Sequence, residues 1–189
     1  MRHRNELRGA LICIGVLLLL MLVILLTPAD AAYGVTTQRQ DDLHTDAENL
    51  RALGYKDDSD EIKALQAEWW EEQEALDIIA RVVQGEAGGC PWMHQLAVAA
   101  VVVNRINSPL FPNTAREVVA APMQYTTLYL RDFDKTSEQC YLAAKKALDG
   151  ESGVPTDIIW QAQFPQGKET WWISYVDTGW FASTTYFCR

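Results

Sequence analysis

The sequence predicts an α+β domain, mainly helical with a small C-terminal antiparallel sheet, preceded by one membrane-spanning helix. Three observations predict it. Residues 9–26 are an uncharged apolar run, residues 57–150 carry helical periodicity with caps, and residues beyond Gly150 turn β-branched and aromatic.

The run 9–26 reads GALICIGVLLLLMLVILL. Roughly 18–20 such residues cross a hydrocarbon core as a helix. Arg2, Arg4 and Arg8 precede it while Asp30, Asp41 and Asp42 follow, which leaves the N-terminus inside and exports the remainder. Pro28-Ala29-Asp30-Ala31-Ala32 offers small residues to a signal peptidase, but the run is longer than the roughly 7–15 residues of a signal core. A retained anchor with the domain outside the cell membrane is therefore expected, with secretion after cleavage as the alternative.

The net charge of −9 speaks against nucleic acid, which needs a basic surface. It speaks equally against electrostatic capture by anionic polymers. The acidity is local: residues 41–77 hold 13 acidic and three basic side chains, whereas residues 78–189 hold 10 and nine. Residues 27–56 therefore read as a linker and acidic stalk, with a short helix within 43–56, and residues 57–189 as the folded domain.

Within that domain, Ile62, Leu65, Trp69, Leu76, Ile79 and Val83 recur at three- and four-residue steps. Asp58 and Glu61 resemble a capping box at the start of this helix, and Gly85 with Gly88-Gly89 marks its end. Trp69 and Trp70 are expected to pack it onto the domain. A second helix is expected from Trp92 to Ile106, with Pro91 at its entry and Leu96, Ala100, Val103 and Ile106 as its buried stripe. Thr114 and Glu117 open a short helix that stops before Pro122. Ser137 opens another through Leu148, with Gly150 as its stop. Segments 157–164, 170–176 and 180–188 read as strands.

Cys13 lies in the apolar run, leaving Cys90, Cys140 and Cys188 outside, enough for one disulfide and one free thiol. No C-x-x-C pair occurs and His3, His44 and His94 are scattered, so neither a metal nor another cofactor is expected. No G-x-S-x-G occurs, which argues against a serine hydrolase. A cysteine peptidase pairing Cys90 or Cys140 with His94 competes with disulfide formation.

One carboxyl group draws attention. Glu86 stands at the end of an apolar helix and is followed by Gly88 and Gly89, which let a ligand approach the backbone. A carboxyl partly buried there is poorly solvated as an anion, which favours the protonated form that donates to a glycosidic oxygen. Read alone, a glutamate at a helix end is more often a solvated or capping residue.

The surrounding residues shift that balance. Ala80-Arg81-Val82-Val83-Gln84-Gly85-Glu86-Ala87-Gly88-Gly89, Gln95 to Arg105, Phe111-Pro112-Asn113-Thr114 and Gln124-Tyr125-Thr126 follow one another in order. Together they resemble the cell-wall hydrolase family typified by the spore cortex-lytic enzyme of spore-forming bacteria. The resemblance implies a lysozyme-like fold with a glycan groove, and Glu86 as the acid that cuts between N-acetylmuramic acid and N-acetylglucosamine. It also implies lytic transglycosylation, in which the muramic 6-hydroxyl attacks and one carboxyl serves as acid and then base. Ordinary glycosidases instead pair two carboxylates. Tyr125 stands where the family commonly has Phe, and Trp160-Gln161-Ala162-Gln163-Phe164-Pro165 departs from the family's strand, so substrate preference is open between spore cortex and vegetative wall.

Gln124, Tyr125, Thr126, Gln161 and Gln163 are candidate hydrogen-bonders to sugar, and Trp160, Trp180 and Tyr186 are candidates for stacking, with core packing as the competing role of each aromatic. Asp132, Asp134 and Asp177 are possible second carboxylates, although loop aspartates are commonly turn residues. The expected partner is peptidoglycan, and the alternative function is a glycan-binding scaffold without turnover.

Overall fold

A computed structural model describes residues 35–122, 124–125, 136–177, 179 and 182–189. The expected span 9–26 lies outside them. Among the described residues no helix is long and apolar enough to cross a membrane.

The first helix, α1 (Gln38–Ala52), occupies much of the segment expected as linker. Its start is fixed by a reciprocal capping box. Thr37 Oγ1 accepts from the Gln40 N–H at 3.2 Å, and Gln40 Oε1 accepts from the Thr37 N–H at 3.0 Å. Gln40, Leu43 and Ala47 face inward onto α2 (Asp60–Ala87), where Gln40 Nε2 donates to Gln73 Oε1 at 3.1 Å. The Gln38 N–H donates to Asp149 Oδ1 at 2.7 Å, 111 residues away. The folded unit therefore begins at Val35 rather than at residue 57. The short helix expected within 43–56 is present but begins earlier, at Gln38, where the inward contact is a glutamine rather than an apolar residue.

Ser59, not Asp58, caps α2, its side chain accepting from the Ile62 N–H. The helix runs through Gly85 and Glu86 to a C-cap at Gly88. Its first half is acidic and exposed, and Leu76, Ile79, Ala80, Val82 and Val83 sink into the core. Trp69 and Trp70 meet edge to face at 4.8 Å and line a groove with Leu43 and His44 of α1, so they serve the α1–α2 contact rather than the domain core.

α3 (Trp92–Ile106) is the central helix. The expected one-sided stripe is overturned: burial extends around most of its circumference, while Val103 and Ile106 are only half-buried. Its run of Ala and Val lets α2 and α5 (Glu138–Leu148) approach from different sides. α4 (Ala115–Ala120) is capped by Thr114, whose Oγ1 accepts from the Glu117 N–H at 3.2 Å. Ser137 caps α5. At the other end of α5, Gly150 at φ +75° allows the Glu151 and Gly150 N–H groups to close on Lys146 O and Ala147 O.

The sheet contains β1 (Trp160–Ala162), β2 (Thr170–Asp177) and β3 (Ala182–Cys188), all antiparallel, in the order β1-β3-β2. β1 is shorter than the 157–164 expected. Its approach is held by α3 as well as by β3, whose Cys188 O accepts from the Ile159 N–H at 3.1 Å. Asn104 Nδ2 donates to Pro155 O and Ile158 O, each at 2.9 Å, and Arg105 Nε donates to Ile159 O at 2.7 Å.

Cys90, Cys140 and Cys188 are free thiols, so the expected disulfide is not formed. Cys140 Sγ instead lies 3.4 Å from Gln84 Oε1, and Cys188 Sγ 3.5 Å from Thr170 Oγ1.

Candidate active site

Glu86 sits on the last turn of α2, the helix that drives Val82, Val83 and Ala87 into the core. Its own position on the turn faces outward, and the side chain is exposed. The partial burial expected from the apolar helix end is therefore not found, because the turn's apolar contacts are all on its other side.

Glu86 opens onto a cleft of about 240 Å³ between that helix end and the sheet. Cys90 and His94 line it on the helical side, and Gln161 of β1, Gln163 just after it, and Ser183 and Thr185 of β3 line it opposite. The register explains this wall. Gln161 pairs with Phe187, Ser174 with Thr185 and Val176 with Ser183, so these side chains share the inner sheet face. Among the described residues lining the cleft, Glu86 is the one carboxylate.

The turn that carries Glu86 is held from two sides. Gln84 Oε1 accepts from the Ser137 N–H at 2.9 Å, tying α2 to the start of α5. Gln95 of α3 reaches back, and its Nε2 donates to Cys90 O at 3.1 Å and to Gly88 O at 3.5 Å. Gly88 lies tight against Gln84: a Cβ there would collide with Gln84 Nε2 and come within 2.6 Å of Gln84 O.

His94 is buried, with Nδ1 2.8 Å from Ser174 Oγ and its ring edge-on to Phe187 at 5.4 Å. Burial pushes its pKa below the ordinary imidazole value. Burial pushes the Cys90 and Cys140 thiols up, which disfavours thiolate, and His94 Nδ1 is engaged by Ser174. This is the opposite of what a cysteine peptidase needs.

Arg105 organises the neighbouring wall. It is buried, Nη1 donates to Gln124 Oε1 at 2.7 Å and to Tyr125 Oη at 3.3 Å, and its guanidinium lies over the rings of Phe111, Tyr125 and Trp160. Burial pushes the Tyr125 phenol up to about 12; Arg105 opposes this and the Glu86 charge adds to it.

Of the residues anticipated for substrate, Gln161 and Gln163 join Glu86 in the cleft. Gln124, Tyr125 and Trp160 gather around Arg105 instead, Trp160 also packing edge to face with Phe111 at 5.7 Å. Tyr186 pairs with Ala162 and Ile173, alternating with the inward Thr185 and Phe187, and does not line the cleft. Asp177 Oδ1 accepts from the Gly179 N–H at 2.8 Å, as a turn residue does. Thr126, Asp132, Asp134 and Trp180 lie outside the described residues. Arg105 and the Ser174–His94 pair went unanticipated as site-building groups. An Asn-Arg pair closing an otherwise apolar helix was the available signal for Arg105.

The model of the cell wall hydrolase family matches residues 89–186, just over half of the 189-residue chain. The chain belongs to the cell wall hydrolase family. The matched span begins three residues after Glu86 and includes α3, the Arg105 cluster and the sheet. Curated members include the spore cortex-lytic enzyme of Bacillus subtilis, 47% identical over 53 residues, covering 28% of this chain and 17% of the relative. That of Halalkalibacterium halodurans is 36% identical over 84 residues, covering 42% and 25%. The chain thus spans at most about a quarter of the length of these two relatives. Among solved structures of the family, the catalytic domain of the germination-specific lytic transglycosylase SleB from Bacillus anthracis is 26% identical, covering 62% of this chain and 95% of that one at a TM-score of 0.47. The Bacillus cereus SleB catalytic domain is 27% identical, covering 62% and 91% at 0.48.

Proposed function

We propose that this cell wall hydrolase cleaves peptidoglycan glycan strands between N-acetylmuramic acid and N-acetylglucosamine as a lytic transglycosylase, with Glu86 as general acid and base. The observation that carries the reading is the cleft itself. Among its described lining residues one carboxylate faces a wall whose amides and hydroxyls stand beside Ala162 and Val176, which suits a hydroxyl- and amide-rich glycan.

In the reaction, protonated Glu86 gives its proton to the glycosidic oxygen as the bond from muramic C1 to that oxygen breaks. The muramic 6-hydroxyl oxygen then bonds to C1, and its proton passes to the Glu86 carboxylate. The products are a 1,6-anhydro end and a free 4-hydroxyl, with no water consumed and Glu86 restored to its acid form. Gln161 and Gln163 are the described groups that would hold the sugar. Gln124, Tyr125 and Trp160 shape the adjoining wall through Arg105. A lysozyme-like arrangement of helical lobe and sheet accommodates this scheme, and the relatives' name, spore cortex-lytic enzyme, makes cortex the first substrate to try.

The test is digestion of purified peptidoglycan, cortex and vegetative, by the full chain and by Glu86→Gln. Products lighter by one water, from the wild type alone, support the proposal. Reducing ends would mean attack by water and a muramidase. No release, with glycan binding kept, would mean a scaffold.

We also place the domain outside the cell membrane, anchored by residues 9–26. An anchored chain stays in the membrane fraction through a high-salt or carbonate wash; recovery only in the culture medium would show cleavage.

A further inference from the structure

Gln95 sits inside the protein with 1% of its surface exposed, at the point where α3 passes the end of α2. Its Nε2 donates to Cys90 O and Gly88 O, the carbonyls of the turn that follows Glu86. Helix ends leave their last carbonyls without partners in the helix, and Gly88-Gly89 gives this end little side-chain packing of its own. The Gln95 amide therefore adds a side-chain clamp to the turn's own backbone bond from the Cys90 N–H to Ala87 O. The same side chain carries an acceptor, Oε1, that is buried with no donor among the described residues. A buried acceptor without a donor costs folding free energy, which offsets the gain from the two donated bonds.

We propose that Gln95 is a positioning residue that fixes the Glu86 turn against the cleft. The inference rests on the proposed role of Glu86. Removing the amide lets the turn at Gly88–Cys90 loosen, and Glu86 then spends less time where it can reach the glycosidic oxygen. Substrate binding on the sheet wall is untouched, because Gln161, Gln163, Ser183 and Thr185 do not contact Gln95 through any of these bonds.

The test compares full-length wild type with Gln95→Met, which keeps length and burial but removes both donors. Three readouts are taken: kcat and KM on soluble uncrosslinked glycan strands, thermal stability, and amide hydrogen exchange over residues 84–91. The expected result is a kcat lowered about 10- to 100-fold with KM within about twofold. Exchange over 84–91 becomes faster, while Tm changes little, the lost carbonyl bonds and the removed unpaired acceptor opposing each other. A Gln95→His variant, which retains a ring N–H donor, recovers part of the kcat. Unchanged kcat in Gln95→Met, or a loss of activity that only follows a loss of folded protein, overturns the proposal. Unchanged exchange over 84–91 overturns it as well, and that readout needs no substrate. Absence of cleavage by the wild type would instead bring down the reading of Glu86.

Discussion

Arg105 Nη1 lies 2.7 Å from Gln124 Oε1 and 3.3 Å from Tyr125 Oη, so one buried guanidinium holds two consecutive residues beside the candidate site. With Nε on Ile159 O, the same side chain also fixes the approach to β1. Its positive charge rests on neutral acceptors and three aromatic faces. Arg105→Lys keeps the charge but not the planar fork, and lysine is more strongly hydrated. The expected loss is about 2–3 kcal/mol in urea unfolding. Release of glycan fragments should fall as well, because Gln124 and Tyr125 lose their common support. Unaltered stability would show that the fork is dispensable.

The pH dependence of stability has a sign that follows from His94. Burial holds its folded pKa below the ordinary 6.5, so the native protein prefers the neutral ring. The unfolded chain takes up a proton first as pH falls. Stability from this residue is fully present above about 6.5 and is lost as pH drops from there through the folded value. Unfolding midpoints measured from pH 8 to 5 should decline more steeply in the wild type than in His94→Gln. Parallel curves would remove His94 from the account.

Gly88→Ala introduces a Cβ into space held by the Gln84 side-chain amide, and Gln84 O is 2.6 Å away. The backbone cannot yield as cheaply as a side chain. A cost of about 1–3 kcal/mol is expected from overpacking. Because Gln84 also receives the Ser137 N–H, cleavage should fall more than the folded fraction does. Gly89→Ala is the control, since nothing lies near a Cβ there.

Gln40→Ala tests whether α1 is structural. The side chain is wholly buried and serves both the capping box and Gln73. Its removal should cost about 1–3 kcal/mol, read by thermal or urea unfolding. An unchanged midpoint would mean that residues 35–56 behave as the stalk their charge suggested.

The legible parts of this protein were those where local chemistry decides. Ser137, Gly150 and the Thr114–Glu117 pair set helix ends through their own backbone bonds, and the spacing showed them. The end of α2 at Gly88 was legible for the same reason. What stayed hidden depends on partners distant in the chain. α1 is held by Gln40–Gln73 and Gln38–Asp149, contacts invisible to apolar periodicity. β1 is short because Asn104 and Arg105 take the carbonyls before it. Within the site, Glu86, Gln161 and Gln163 share one cleft, whereas Trp160 and Tyr125 gather on Arg105, whose influence no spacing rule describes.

The order of the sheet bears on how the cleft wall is built. β1 and β2 do not pair with each other; each pairs with β3. Without β3 the two outer strands have no partner along their inner edges, and Trp171, Trp172 and Ile173 are among their residues. Ser183 and Thr185 of the wall come from β3 itself, and Gln161 is aligned through its pairing with Phe187. Loss of this one strand would therefore remove half of the wall facing Glu86 and leave the other half unaligned.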